Sequence, residues 1–260
     1  MVLLFGPMAD PMLGLEEPEK EYYQIERKYF PEIKPLLHAI LPRMKIIKGL
    51  NLTEQYFLPG SFDRELQEHC KNANITPEII KVMDDYETVR NIDRDNLDLF
   101  PARVTDQIYS QAENFDLLLE SGRLVLGELF SKNELITAYS KRLGFEITGM
   151  FYYPPGAFAE WHTNRYDKTG WRVYYVETME EGKSWFNYKE RTSNKTHTVK
   201  DKSKYLNIFN VGQRNDIPLW HCVYSNTHRF SIGIKVPEWM VRILIHRSKN
   251  NLEMSLQNKI

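Results

Sequence analysis

Two histidines and one arginine in the second half of the chain are spaced so that they could hold a metal ion and an organic acid. His162 and Asn164 close the run YPPGAFAEWHTN over 153–164. Two polar residues separated by one position can point the same way at a strand end, as two ligands of one metal must. His221 follows Pro218, Leu219 and Trp220, and Arg229 comes eight residues later with Ser231 two positions beyond it. Neutral imidazoles suit iron(II), and an arginine with a nearby hydroxyl suits the far carboxylate of a dicarboxylic acid.

Each of these residues alone has a plainer explanation. A single histidine is more often a satisfied structural residue, Arg229 an ion-pairing residue and Ser231 a strand hydroxyl. Their order, histidine with a neighbouring amide, then a distant histidine, then arginine, is what raises them together. Other histidines fit less well. His228 falls on the opposite strand face from Arg229. His197 lies in the polar run 189–204, which reads as a solvated loop or hairpin tip, and His38, His69 and His246 have no companion at ligand spacing. Trp161 and Trp220 each precede a candidate ligand and read as packing that walls the site.

The elements that must position these residues change character along the chain. The first half reads as helical. Ser61 can cap a helix over Phe62–Asn72, and Thr76-Pro77-Glu78 is a helix start with proline in the first turn. Residues 115–130 are apolar at helical spacing, and Ser131 with Glu134 forms a capping box before a helix ending at Gly144. From Phe145 the period becomes two. Residues 145–153, 171–177, 184–188, 205–210 and 230–236 read as short strands separated by Gly, Pro, Asn and Lys-rich turns, the pattern of a sandwich, barrel or jelly roll. On the last strand Arg229, Ser231 and Gly233 share one face and Phe230, Ile232 and Ile234 the other. A polar interior that holds a ligand and an apolar outer surface covered by the N-terminal helices follow from that split.

Composition bounds the rest. The chain has 260 residues, 42% of them hydrophobic, enough for a substantial core. Its formal charge of -1 provides no general drive toward nucleic acid or an anionic membrane. The basic runs 189–204 and 242–249 read as solvated faces. Cys70 and Cys222 are too few and too far apart for a disulfide framework or a clustered zinc site, which fits a reducing cytoplasm. Residues 1–15 lack the basic start of a signal peptide and are interrupted by Pro7, Asp10 and Pro11, which argues against leader and anchor alike.

Five blocks in order resemble the Fe(II)/2-oxoglutarate-dependent dioxygenases, nearest to their prolyl-hydroxylase-like branch, over about 147–236. They are the run 153–164, RVYYVE at 172–177, the glycine turn and strand at 181–186, the hydrophobic strand 199–209, and HCVYSNTHRFSIGIKV at 221–236. The resemblance implies an α+β fold: a double-stranded β-helix, or jelly roll, over 145–237, with a mainly helical region 21–144 packed on it. A poorly ordered segment 1–20 and a C-terminal extension 238–260 would flank these. It implies His162 and His221 as iron ligands, Arg229 and Ser231 as holders of the C5 carboxylate of 2-oxoglutarate, and Tyr153 and Tyr175 against that co-substrate. The implied reaction consumes oxygen and 2-oxoglutarate, hydroxylates a prime substrate whose identity the sequence leaves open, and releases succinate and carbon dioxide.

Asn164 departs from the pattern, which places Asp or Glu there as the third iron ligand. An amide is a neutral, weaker oxygen donor. Three consequences compete: iron held more weakly by Asn164 or by water in its place, a halide admitted as in the halogenating branch, or a catalytically impaired relative that binds a dicarboxylate or a partner. Asp167 could substitute as a ligand if the turn curls back.

Overall fold

Strand residues dominate wherever the second half of the chain is buried, and they wind into two facing antiparallel sheets. The computed structural model describes residues 15, 17–38, 64–81, 117–120, 123–126, 141, 144–164, 169–212 and 216–257. In chain order the strands are β1 (Tyr22–Glu26), β2 (Leu117–Glu120), β3 (Arg123–Leu126), β4 (Glu146–Tyr153), β5 (Phe158–His162), β6 (Trp171–Thr178), β7 (Ser184–Lys189), β8 (Thr196–Lys200), β9 (Tyr205–Asn210), β10 (His221–Ser225) and β11 (Arg229–Val236). Helix α1 spans Arg64–Lys71 and α2 spans Glu238–Gln257.

The larger sheet runs β1-β9-β6-β11-β4-β3-β2 and the smaller β5-β10-β7-β8. From β4 to β11 the chain passes back and forth between them, a winding that fits a jelly roll. Gln24 Nε2 donates to the Lys200 carbonyl at 3.0 Å, so β1 closes the gap between the two sheets at one edge.

Period-two alternation sorts the side chains into three layers. Outside the large sheet, Phe230, Ile232 and Ile234 pack with Tyr152, Val173 and Tyr175. Ile33, Leu36 and Leu37 cover this face from the N-terminal side, and Met240, Val241 and Leu244 of α2 from the other. The expected cover is therefore shared with the C-terminal helix. Between the sheets lie Tyr22, Tyr153, Phe186, Phe209 and Val223. Outside the small sheet, Trp161, Trp220, Cys222 and Tyr224 meet Cys70 and Ile79. Both tryptophans are thus buried away from the interior instead of walling it.

The helical reading of the first half needs correction. β1 is a strand of the large sheet, and residues 117–120 and 123–126, expected as helix, pair antiparallel as β2 and β3, which join β4 through Leu124↔Tyr152 and Val125↔Phe151. Short apolar runs do not distinguish the two periods, whereas Ser121-Gly122 between the strands is the composition of a two-residue hairpin turn. The start at Thr76 is present: its hydroxyl accepts the Ile79 backbone N–H at 3.3 Å. The capping box at Ser131 and the Ser61 cap lie outside the described residues.

Candidate active site between the sheets

A bulge aims the first histidine inward. His221 pairs with His162 and Val223 with Ala159, so Glu160 and Trp161 together oppose Cys222 alone. The extra residue lets Phe158 and Trp161 both face outward while Ala159 and His162 both face the interior. The two imidazoles come together with ring centroids 4.2 Å apart.

Their hydrogen bonds define the tautomers. His162 Nδ1 lies 2.6 Å from the Glu160 carbonyl and His221 Nδ1 2.9 Å from the Leu219 carbonyl. A carbonyl only accepts, so each Nδ1 carries a proton, and in the neutral ring Nε2 then carries the lone pair. Asn164 sits beside them with φ 56°, in the left-handed region that asparagine tolerates, and its Nδ2 donates to His221 Nε2 at 3.1 Å. Phe186 stacks on the His221 ring at 5.4 Å and Phe209 approaches at 5.0 Å, an apolar wall that the sequence did not single out. Tyr188, the cross-strand partner of His221, stands beside it; burial, then Glu190 and Glu21, push its hydroxyl up.

At the deep end of the barrel stands Arg229, fully buried. Its Nε donates to Asp201 Oδ2 at 2.7 Å, and its guanidinium carbon lies 4.9 Å from the centre of the Tyr153 ring. Burial opposes its charge, but Asp201 more than offsets this and holds the guanidinium above its ordinary value. Among the described residues Nη1 and Nη2 have no hydrogen-bond partner, and neither has Ser231 Oγ one step along the same strand face. Three unspent donors grouped in a closed interior, two of them on one guanidinium, match the two oxygens of a carboxylate.

Between the two ends, β11 offers Gly233, which pairs with Tyr174. A Cβ at Gly233 would lie 2.6 Å from Tyr174 Cε1 and 2.8 Å from Thr148 Oγ1. Glycine there lets the Tyr174 ring cross the sheet floor. Beyond it, Arg172 and Lys235 stand opposite each other across β6 and β11.

His162, Asn164, His221, Arg229, Ser231 and Tyr153 therefore all reach one interior. Tyr175 does not. It belongs to the outer cluster, its hydroxyl donating to Glu177 Oε2 at 2.7 Å, and its neighbour Tyr174 holds the inward position. His228, as expected, faces out, 2.6 Å from the Tyr152 hydroxyl. His197 is in β8 and stacks on Tyr188 instead of lying in a loop. Asp201 was missed altogether. Asp167 lies outside the described residues. Among the described residues no group of three or more His, Cys, Asp or Glu could hold a metal ion, and the polar side chain beside the two imidazoles is Asn164.

No protein-family model and no curated protein matches the chain. Solved structures match in part. A prolyl-4-hydroxylase from Pseudomonas putida is 20% identical, with 40% of this chain and 60% of that one covered, at a TM-score of 0.26. A Trichoplax adhaerens prolyl hydroxylase, solved with a hypoxia inducible factor peptide fragment, is 17% identical over 47% and 66%, at 0.31. A 2OG-Fe(II) oxygenase family protein from Burkholderia pseudomallei is 10% identical over 52% and 78%, at 0.32. The chain spans less than two thirds of the first two. Likeness this distant carries no argument about chemistry, and the weight falls on the site.

Proposed function

We propose that this chain is an iron(II)- and 2-oxoglutarate-dependent oxygenase that hydroxylates a C–H bond of an unidentified prime substrate. The observation that carries this is the pairing, inside one barrel, of two adjacent imidazoles, each anchored through Nδ1 on a backbone carbonyl, with a buried arginine whose Nη1 and Nη2 lack partners among the described residues, as does the Ser231 hydroxyl. The donor chemistry fits the implied groups. His162 and His221 would hold the iron through Nε2, and Asn164, its amide turned over, would offer Oδ1. Arg229 and Ser231 would bind the C5 carboxylate, with Tyr153 supporting the guanidinium face. Phe186 and Phe209 exclude water from His221. Iron bound there supplies the redox chemistry that couples oxidative decarboxylation of 2-oxoglutarate by oxygen, giving succinate and carbon dioxide, to oxidation of the substrate.

A second reading has one observation in its favour: Asn164 in place of a carboxylate. On that reading the chain is a catalytically impaired module that binds a dicarboxylate. Purified protein loaded with iron(II) and exposed to 2-oxoglutarate in air distinguishes them. The oxygenase forms succinate; the binding module takes up 2-oxoglutarate and forms none. A halogenase-like variant would show a chloride-dependent change in the iron spectrum. His162→Ala should abolish iron binding, and unchanged iron affinity would remove the metal assignment. The free, buried thiols of Cys70 and Cys222 favour a reducing compartment such as the cytoplasm. No described helix is long and apolar enough to cross a membrane.

A further inference from the structure

We propose that Asp201 and, through Asn207, Tyr22 of the N-terminal strand are positioning residues that hold Arg229 ready for the far carboxylate of the co-substrate. The inference rests on the reading of Arg229 given above and extends the pocket to a strand nearly 180 residues earlier in the chain.

Asp201 is fully buried, and both of its oxygens are engaged. Oδ2 accepts from Arg229 Nε at 2.7 Å and Ser184 Oγ at 2.9 Å, and Oδ1 accepts from Asn207 Nδ2 at 2.9 Å. Its backbone is held as well: its N–H donates to the Ser184 carbonyl at 2.8 Å, and its own carbonyl accepts from Gly182 at 3.2 Å. Because a carboxylate only accepts, Asn207 must turn its NH2 toward Asp201 and its Oδ1 away. That oxygen receives the Tyr22 hydroxyl at 2.9 Å and Gln24 Nε2 at 3.3 Å. Every donor direction in the chain Tyr22→Asn207→Asp201←Arg229 follows from the one negative charge. Tyr22 is itself clamped, stacked on Phe186 at 5.4 Å and Tyr188 at 5.0 Å.

The consequence for Arg229 is geometric. A guanidinium offers five N–H groups in a rigid fork. With Nε committed to Asp201, the plane of the fork is defined, and Nη1 and Nη2 are left without protein partners in the interior. Pre-orienting the donors lowers the ordering cost when a carboxylate arrives. An amide at 201 removes the charge that opposes Arg229, and it avoids a clash of donors with Asn207 only if Asn207 turns over and gives up the Tyr22 hydroxyl as a donor.

The test separates carboxylate capture from general damage by comparing 2-oxoglutarate with 2-oxopentanoate, which has the same chain length and no C5 carboxylate. Affinities are measured calorimetrically on the full chain with iron(II) in the absence of oxygen. Wild type should prefer 2-oxoglutarate. Asp201→Asn should reduce that preference by about tenfold or more, and Tyr22→Phe by about two- to fivefold, with 2-oxopentanoate affinity unchanged in both. If Asp201→Asn does not fold, Tyr22→Phe decides alone. Unchanged preference in a folded variant overturns the inference while leaving Arg229 as the anchor. A wild type without any preference removes the anchor itself, and the inference with it.

Discussion

The two ends of the barrel are built on different principles. At the deep end a cation and an anion are both fully buried, and Asp201 spends every oxygen on a named donor. At the other end, the mouth, where His162 and Asn164 are only half-buried, two imidazoles and a neutral amide meet, the amide on an asparagine with positive φ. A buried ion pair is costly to desolvate and is tolerated where its geometry is satisfied on all sides. A neutral donor set costs less to bury than an ion pair, and it binds a cation less tightly than one that includes a carboxylate. On the proposed function, rigidity would be invested in capturing the acid, while grip on the metal would be left slack.

Breaking the deep pair gives the largest expected effect. Arg229→Gln leaves the Asp201 carboxylate buried without its cation, and we expect a loss of about 3–5 kcal/mol of stability in denaturant unfolding, besides loss of 2-oxoglutarate binding. A loss below about 1 kcal/mol would mean the pair is not the organising feature of that end. For reference against plain packing, Ile232→Ala on the outer face of the same strand should cost about 2–5 kcal/mol while leaving the ratio of 2-oxoglutarate to 2-oxopentanoate affinity untouched.

At the mouth the expected change is a gain. Asn164→Asp adds an anionic oxygen beside two imidazoles and should tighten iron(II) binding by about tenfold, or about 1.4 kcal/mol, in anaerobic titrations. Weaker or equal binding would place the third ligand elsewhere. The smallest effect is expected away from both ends, where Arg247 of α2 pairs with Glu32 at 2.9 and 3.0 Å. Burial raises the Glu32 carboxyl, but the hydrogen bonds from Arg247 outweigh it and leave the group below its ordinary 4.5. A carboxylate lowered in the fold stabilises above its unfolded pKa and ceases to as pH falls through its folded one. Arg247→Ala should thus cost at most about 1 kcal/mol at pH 7, a difference that closes on acidification below about pH 4.5, as thermal unfolding across that range would reveal.

Much of the site could be read in advance because it lies in short windows. His162 with Asn164, and His221 with Arg229 and Ser231, are each within eleven residues, and period-two parity alone puts Arg229 and Ser231 on one face. The same parity failed at Tyr175. β6 is buried on both faces, so Tyr174 and Tyr175 are equally plausible from either side, and only the register Gly233↔Tyr174 chooses between them. Trp161 misled for a related reason, because one extra residue in β5 turned it outward.

What the sequence by itself determined is the alternation of the second half, the inward set on β11 and the presence of an imidazole on each of two strands, all of them local consequences of residue type and period. Tertiary structure decided the rest. Asp201 reaches Arg229 across 28 residues and Tyr22 reaches Asn207 across 185, pairings no periodicity encodes. They arise because β1 pairs with β9 and because winding between two sheets carries the end of β8 to the start of β11. Once a charge is enclosed there, the cost of leaving it unpaired selects its partner.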